Sequence, residues 1–424
     1  MTAAASPHAT TALVLTGGGA RAAYQVGVLQ AIAGLRTACG HAHESAPFAI
    51  YSGTSAGAIN AAALASGADH FDHAVRRIAR VWAHFHAAQV YHADSLHVMR
   101  RGAHWLTLLS VGWALARWRR VHPHSLLNNA PLAQLLERLV PVQRVPHLIR
   151  TGHLSALAVT ASSYNSGQHV AFFDAGDAQE PWARSLRKSA RGPITHQHLL
   201  ASSAIPLVFP AASLPIDGHT EYFGDGSMRQ TAPLAPAIHL GAERLMVVGT
   251  SRAHEPPPPC PAGTQQPYPA LAQVAGHALS NIFVDALSSD IEHLQHINEV
   301  LALLAPEERA RSPLRPLELL VCVPSQRLDE IASRHLCDLP LSIRALLGAL
   351  GVRPVQSGVS HDGNGRNGGN GNNGALVSYL LFERAYTREL MALGRSDTLA
   401  RRGEICAFFG WHDRGDPVRL ACYA

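Results

Sequence analysis

Phe48-Ala-Ile-Tyr51-Ser-Gly53-Thr54-Ser55-Ala56-Gly57-Ala-Ile-Asn-Ala-Ala-Ala-Leu-Ala65 is a short apolar run, then Gly-x-Ser-x-Gly, then a string of small, helix-compatible residues. The order is strand, sharp turn, helix, with Ser55 at the tip of the turn. A reactive serine needs a strained turn to project its hydroxyl, and Gly53 and Gly57 let helix and strand approach without a Cβ clash. In a chain with 35 glycines the same spacing also arises as an ordinary tight turn.

Upstream, Ala12-Leu-Val-Leu15 reads as a short buried strand running into Thr16-Gly17-Gly18-Gly19-Ala20-Arg21. A helical pattern follows, with Ala22, Tyr24, Val26, Val28, Leu29 and Ile32. Successive glycines between a strand and a helix leave backbone N–H groups free to bind an anion. In acyl transfer that anion is the oxyanion of the tetrahedral intermediate. Arg21 adds a positive charge that either steadies the loop or meets a substrate phosphate. A rival reading is a dinucleotide turn, Gly17-x-Gly19-x-x-Ala22, which asks for an acid at the end of a second strand. Glu44 has the spacing, yet it sits in the polar stretch His41-Ala-His-Glu-Ser45.

Downstream, Glu221-Tyr-Phe-Gly224 leads into Asp225-Gly226-Ser227. A carboxylate followed by glycine at a strand end suits a general base, and it also suits a common Asp-Gly turn. With these three pieces come Ala201-Ser-Ser-Ala-Ile-Pro-Leu-Val-Phe-Pro210 and Ala232-Pro-Leu234. Taken together and in this order, over about residues 11–251, they resemble the patatin-like phospholipases, a branch of serine lipid acyl hydrolases. Two positions depart from the pattern: Ala22 stands where the glycine-rich motif usually has another glycine, and Ser227 where Gly or Ala usually follows Asp-Gly.

The resemblance implies a Ser–Asp dyad, with Ser55 as nucleophile and Asp225 as general base. It implies an oxyanion hole in the loop Gly17, Gly18, Gly19, Ala20 and Arg21, with the amides of Gly18, Gly19 and Ala20 as donors. It implies a lipid or phospholipid substrate, cleavage of carboxylic esters through an acyl-enzyme, and no cofactor. Two alternatives stay open: a catalytically weak lipid-binding or regulatory protein of the same fold, and an acyltransferase using the same dyad. The 26 histidines are scattered and none is marked out by its neighbours as a base. The pairs His84-x-His86 and His122-x-His124 lack a Cys or carboxylate set at ligand spacing, so no metal is expected.

Composition narrows the classes further. The chain has 424 residues, 47% hydrophobic and 15% charged, with a net charge of +5. It has no Lys/Arg run of five or more, so no nucleic-acid partner is expected. Its arginine-dominated positive charge suits a weak preference for anionic lipid surfaces. Cys39, Cys260, Cys322, Cys337, Cys406 and Cys422 are scattered without a C-x-x-C pair, which fits a reducing compartment. The N-terminus has no basic segment followed by a long apolar one. No stretch reaches the length of a membrane span. The expected location is cytoplasmic, with peripheral contact at the inner membrane surface. The contact is assigned to residues 100–120, where three tryptophans and flanking arginines suit an interface, a lid over the site, or both.

The expected fold is α/β: a three-layer patatin-like sandwich around a mostly parallel sheet. Its hydrolase domain covers residues 11–251, with a helical insertion after the elbow at about 69–150. A mostly helical extension covers 252–424, with a Gly/Asn loop at 363–374. Strands are expected at 154–160, 169–173, 244–249 and 317–323. Helices are expected at about 270–304, 375–393 and 397–409.

Overall fold

The computed structural model describes residues 10–91, 125, 127–251, 286–341, 343–345 and 373–411, without the side chains of 373–376. The 100–120 stretch, the first part of the expected 270–304 helix and nearly all of the Gly/Asn stretch lie outside these residues.

Ten strands form one sheet: β1 (Thr11–Leu15), β2 (Ile50–Thr54), β3 (Ala156–Ser163), β4 (His169–Ala175), β5 (Ala183–Arg184), β6 (Arg187–Arg191), β7 (Ala212–Ile216), β8 (His219–Asp225), β9 (Arg244–Val248) and β10 (Glu318–Cys322). The described helices are α1 (Ala23–Ala38), α2 (Ala56–Ala65), α3 (Phe71–Trp82), α4 (Ala130–Leu139), α5 (Val145–Arg150), α6 (His196–Ser202), α7 (Ala235–His239), α8 (Leu287–Leu303), α9 (Pro306–Arg311), α10 (Leu328–Arg334), α11 (Asn373–Leu380), α12 (Arg384–Ala400) and α13 (Arg402–Phe409).

The sheet order is β10-β9-β1-β2-β3-β4-β6-β5, and β8 pairs with both β3 and β7. From β10 to β3 every neighbouring pair is parallel. β4 and β8 run antiparallel to β3. This is the mixed, mostly parallel sheet of an α/β fold. Parallel central strands are buried on both faces and so read as continuous apolar runs. Leu13 and Leu15 of β1 enter one core, while Ala12 and Val14 enter the other. The first core is covered by α1, α2 and α3, and the second by α7 and α8.

The C-terminal region is mostly helical and is built into the same core. It supplies β10 to the sheet edge. It also lays α12 against α1 at a contact too close for side chains: a Cβ on Gly27 would overlap the Met391 carbonyl, and one on Gly394 would overlap the Tyr24 carbonyl. Tyr386 and Leu390 are fully buried there, and the Cys39 and Cys406 sulfurs meet at 3.9 Å. The single helix expected at 375–393 is two, α11 and α12, separated by the non-helical Leu381-Phe382-Glu383. No Gly or Pro marks that break. It is held by tertiary contacts: Phe382 is drawn toward Trp82 and Phe85, and the Glu383 carboxylate accepts the Ala87 N–H at 3.2 Å. Asp397 belongs to α12, and the last helix begins at Arg402.

Candidate active site

β2 and β8 occupy the same edge of β3 and run toward each other. β2 ends with Thr54 opposite Thr160, and β8 ends with Asp225 opposite Ala161. Two strand ends from distant parts of the chain are thereby brought together beside consecutive residues of β3. Ser55 is the next residue after β2. Its Oγ donates a hydrogen bond to Asp225 Oδ2 at 2.6 Å.

Ser55 adopts φ 56° and ψ −130°, a left-handed conformation that costs a non-glycine residue about 1–3 kcal/mol. The turn is over-determined by its surroundings. A Cβ on Gly53 would stand 2.5 Å from the Gly57 carbonyl, and one on Gly57 would overlap the end of β1. The Ser55 N–H donates to Ser202 Oγ at 2.8 Å. Ser202 also accepts the Gly226 N–H on its carbonyl at 3.1 Å. One residue at the end of α6 therefore ties the serine turn to the Asp-Gly turn. Sequence reading recognised the 201–210 segment without assigning Ser202 that part.

The glycine-rich loop closes over the same point. A Cβ on Gly17 would stand 3.1 Å from Ser55 Cβ and would overlap the buried Ser227 Oγ. Gly18 lies against Thr250, whose hydroxyl donates to the Gly17 carbonyl at 2.6 Å. Gly19 has φ +54° and abuts the Tyr379 carbonyl, so only glycine fits there on both counts. Among the described residues, the N–H groups of Gly17, Gly18 and Gly19 donate to no protein acceptor. Ala20 lies within a short 3-10 turn, Gly19–Ala22, and Ala22 leads into α1 with φ −63°, an angle that needs no glycine. Arg21 turns to the C-terminal region: its Nε donates to Ser378 Oγ at 2.7 Å and its guanidinium lies 4.4 Å from the centre of the Tyr379 ring. Of the two parts read for Arg21, this geometry matches the one that steadies the loop.

Asp225 is fully buried, and burial raises its carboxyl from the ordinary value to about 6. The hydrogen bond from Ser55 and the Ser227 N–H, 2.8 Å from Oδ1, pull in the opposite direction. Among the described residues no histidine hydrogen-bonds Ser55 or Asp225. His169 is the histidine behind the site. Its Nε2 lies 3.1 Å from the Gly226 carbonyl, and burial lowers its pKa to about 4, so it is a neutral donor at pH 7. Its position opening β4 gave no sequence signal for this support of the Asp-Gly turn. Glu44, the acid of the dinucleotide reading, sits in the loop between α1 and β2 and meets His41 at 2.6 Å.

The profile of the family described as "Patatin-like phospholipase" matches residues 13–238. The chain belongs to the patatin-like phospholipase family. Among solved structures it is similar to VipD from Legionella pneumophila, 13% identical, covering 92% of this chain and 67% of that one, with a TM-score of 0.32. A search of curated proteins returns no match.

In this member of the family the serine opens onto a cavity of about 300 Å³. The lining includes Ser55, Gly19, Ile59 and Ala63 on one side, and Val81, Trp82, Phe85, Leu132 and Phe382 on the others. The wall beside the serine is fixed by a buried polar chain. Trp82 Nε1 donates to Asn60 Oδ1 at 2.9 Å, Asn60 Nδ2 to Gln25 Oε1 at 3.1 Å, and Gln25 Nε2 to the Thr16 carbonyl at 2.8 Å. The same residues thus anchor the cavity wall and the start of the glycine-rich loop. No helix among the described residues is long and apolar enough to cross a membrane.

Proposed function

We propose that this protein is a lipid acyl hydrolase that cleaves carboxylic esters with a Ser55–Asp225 dyad. The observation that carries the reading is the 2.6 Å contact from Ser55 Oγ to Asp225 Oδ2, at a strained turn beside the glycine-rich loop and at the head of an apolar cavity. Family membership supports the hydrolase class.

In this reading Ser55 Oγ attacks the ester carbonyl carbon while its proton passes to Asp225 Oδ2. The C=O pair becomes an oxyanion, met by the free amides of the Gly17–Ala20 loop. Collapse breaks the C–O bond to the alcohol, which leaves with the proton from Asp225. Water then attacks the acyl-Ser55 ester, giving its proton to Asp225 and from there to the serine oxygen, and the fatty acid departs. An aspartate is an ordinary weak base near pKa 3.9, and a rise to about 6 moves it toward the useful range. The remaining barrier falls to the oxyanion donors, each typically worth about 2.7–4 kcal/mol.

The test is hydrolysis of a p-nitrophenyl ester and of mixed phospholipid vesicles by the wild type, Ser55→Ala and Asp225→Asn, with folding checked by circular dichroism. Loss of turnover in both folded variants is expected. Turnover that survives Ser55→Ala removes the dyad. A folded wild type with no turnover on either substrate favours the lipid-binding alternative.

A further inference from the structure

The cavity has a direction. Ser55 caps the N-terminus of α2, and Ile59, Ala63 and Gly67 line the wall at successive four-residue steps. Ile59 and Ala63, four apart, share one face of α2, and Gly67 follows just beyond its last residue, Ala65, so the three run in order away from the serine. From Ser55 to Ala65 the helix rises about 15 Å at 1.5 Å per residue.

The far end is ionic. Arg144 Nη2 meets Asp69 Oδ2 at 2.6 Å, Arg144 Nη1 donates to the Ser66 carbonyl at 2.9 Å, and Arg77 donates to the Leu139 carbonyl. Asp69, Arg77, Leu139 and Arg144 line the same cavity as the serine. The Asp69 side chain is 19% exposed and that of Arg144 46%, so this end reaches the surface. An apolar chain extending beyond it leaves hydrocarbon for a salt bridge and water, and further methylenes gain nothing by burial.

We infer that α2 is a ruler for the acyl chain: the ester carbon sits at Ser55, the chain follows the Ile59–Ala63–Gly67 stripe, and the Asp69–Arg144 pair marks its end. The inference rests on the proposed hydrolase reading for the position of the ester carbon. C–C bonds of about 1.5 Å in an extended zigzag advance roughly 1.25 Å per carbon, so about 15 Å accommodates roughly twelve carbons. Ala63 controls the depth. It stands two turns from the serine, is only partly buried, and its small side chain leaves the channel open. Gly67 is a poorer lever, since a Cβ there would stand 2.9 Å from Ala74 Cβ.

The experiment measures kcat/KM for p-nitrophenyl esters from four to sixteen carbons with wild type, Ala63→Phe and Ser55→Ala. It also measures displacement of a fluorescent fatty acid by butanoate through hexadecanoate on the Ser55→Ala protein, with and without Ala63→Phe. In the wild type both readouts should strengthen by up to about fourfold per methylene, from the burial of each CH₂, and level off near twelve carbons. In Ala63→Phe the dodecanoyl-to-butanoyl ratio of kcat/KM should fall at least tenfold, with dodecanoate displacement weakened in parallel. Ratios unchanged by Ala63→Phe, or gains that continue evenly to sixteen carbons, overturn the ruler and leave the dyad standing. Absence of Ser55-dependent hydrolysis removes the hydrolase reading, while a displacement profile with the same plateau still locates the chain in this channel.

Discussion

Ser55 and Asp225, 170 positions apart in the chain, meet because β2 and β8 end against consecutive residues of β3, Thr160 and Ala161. The contact between the two side chains is therefore set by strand register. A slip of one residue in either pairing would turn a side chain to the other face of the sheet and separate the two groups. Placing the contact on sheet backbone gives it the rigidity that the proposed proton transfer needs.

Burial of Asp225 has a kinetic signature. The carboxylate is the form that accepts the serine proton, and burial lifts its pKa to about 6. In the pH profile of kcat/KM, activity should rise with pH through a midpoint near 6 and be flat above about 7. A midpoint near 4, the ordinary carboxylate value, would contradict the rise that burial gives Asp225.

The same burial has a thermodynamic signature. A carboxyl raised in the folded state holds a proton that the unfolded chain releases between about pH 4 and 6. Its favourable contribution is present below about 4 and is lost as pH rises through 6. Above that pH the buried charge costs up to about 3 kcal/mol, two pKa units at 1.36 kcal/mol each. Asp225→Asn should be more stable than wild type to urea at pH 8, by roughly 1–3 kcal/mol, with the difference vanishing at pH 4. A variant less stable at pH 8 would refute this assignment.

Ser202 gives a third expectation. Its hydroxyl accepts the Ser55 N–H and its carbonyl accepts the Gly226 N–H. Ser202→Ala leaves the backbone bond to Gly226 and orphans the buried Ser55 N–H, at about 1–3 kcal/mol. We expect kcat to fall about 5- to 100-fold with KM within about twofold, since the position of Ser55 is disturbed and the cavity is not. A larger effect on KM than on kcat would place Ser202 in substrate binding.

The α1–α12 crossing supplies a fourth. With Gly394 against the Tyr24 carbonyl and Gly27 against the Met391 carbonyl, the helix backbones touch. Gly394→Ala should destabilise the protein by about 1–3 kcal/mol despite alanine's better helix propensity, because the overlap falls on backbone that cannot give. Thermal unfolding reads this directly, and an unchanged or raised midpoint would show that the helices separate freely. Because α11 brings Tyr379 to the glycine-rich loop and the link between α11 and α12 brings Phe382 to the cavity, the variant should also lose activity at temperatures where the fold is still intact.

The elements of this site that were legible in the sequence are those with local chemistry. The Gly53–Gly57 turn, the glycine run before α1 and Asp225-Gly226 are each readable from a few adjacent residues, because glycine is demanded where backbones touch. The strands from β1 to β3 read easily as apolar runs with helices between them. What the sequence did not reveal depends on partners far along the chain. Ser202 is one serine among several until Ser55 is seen above it. His169 opens a strand and gains its part only from the Gly226 carbonyl. The break at 381–383 has no helix-breaking residue and is imposed by Trp82, Phe85 and Ala87. Arg21, whose partner the sequence left open between the loop and a substrate phosphate, meets Ser378 and Tyr379 some 357 positions on.

The most direct test of the central claim is labelling with a serine-directed fluorophosphonate, read by peptide mass spectrometry. The account predicts one adduct, on Ser55 in the peptide spanning Gly53–Gly57, formed by wild type, strongly slowed in Asp225→Asn and absent from Ser55→Ala. An adduct on another residue, or equal labelling of Ser55→Ala, would contradict it.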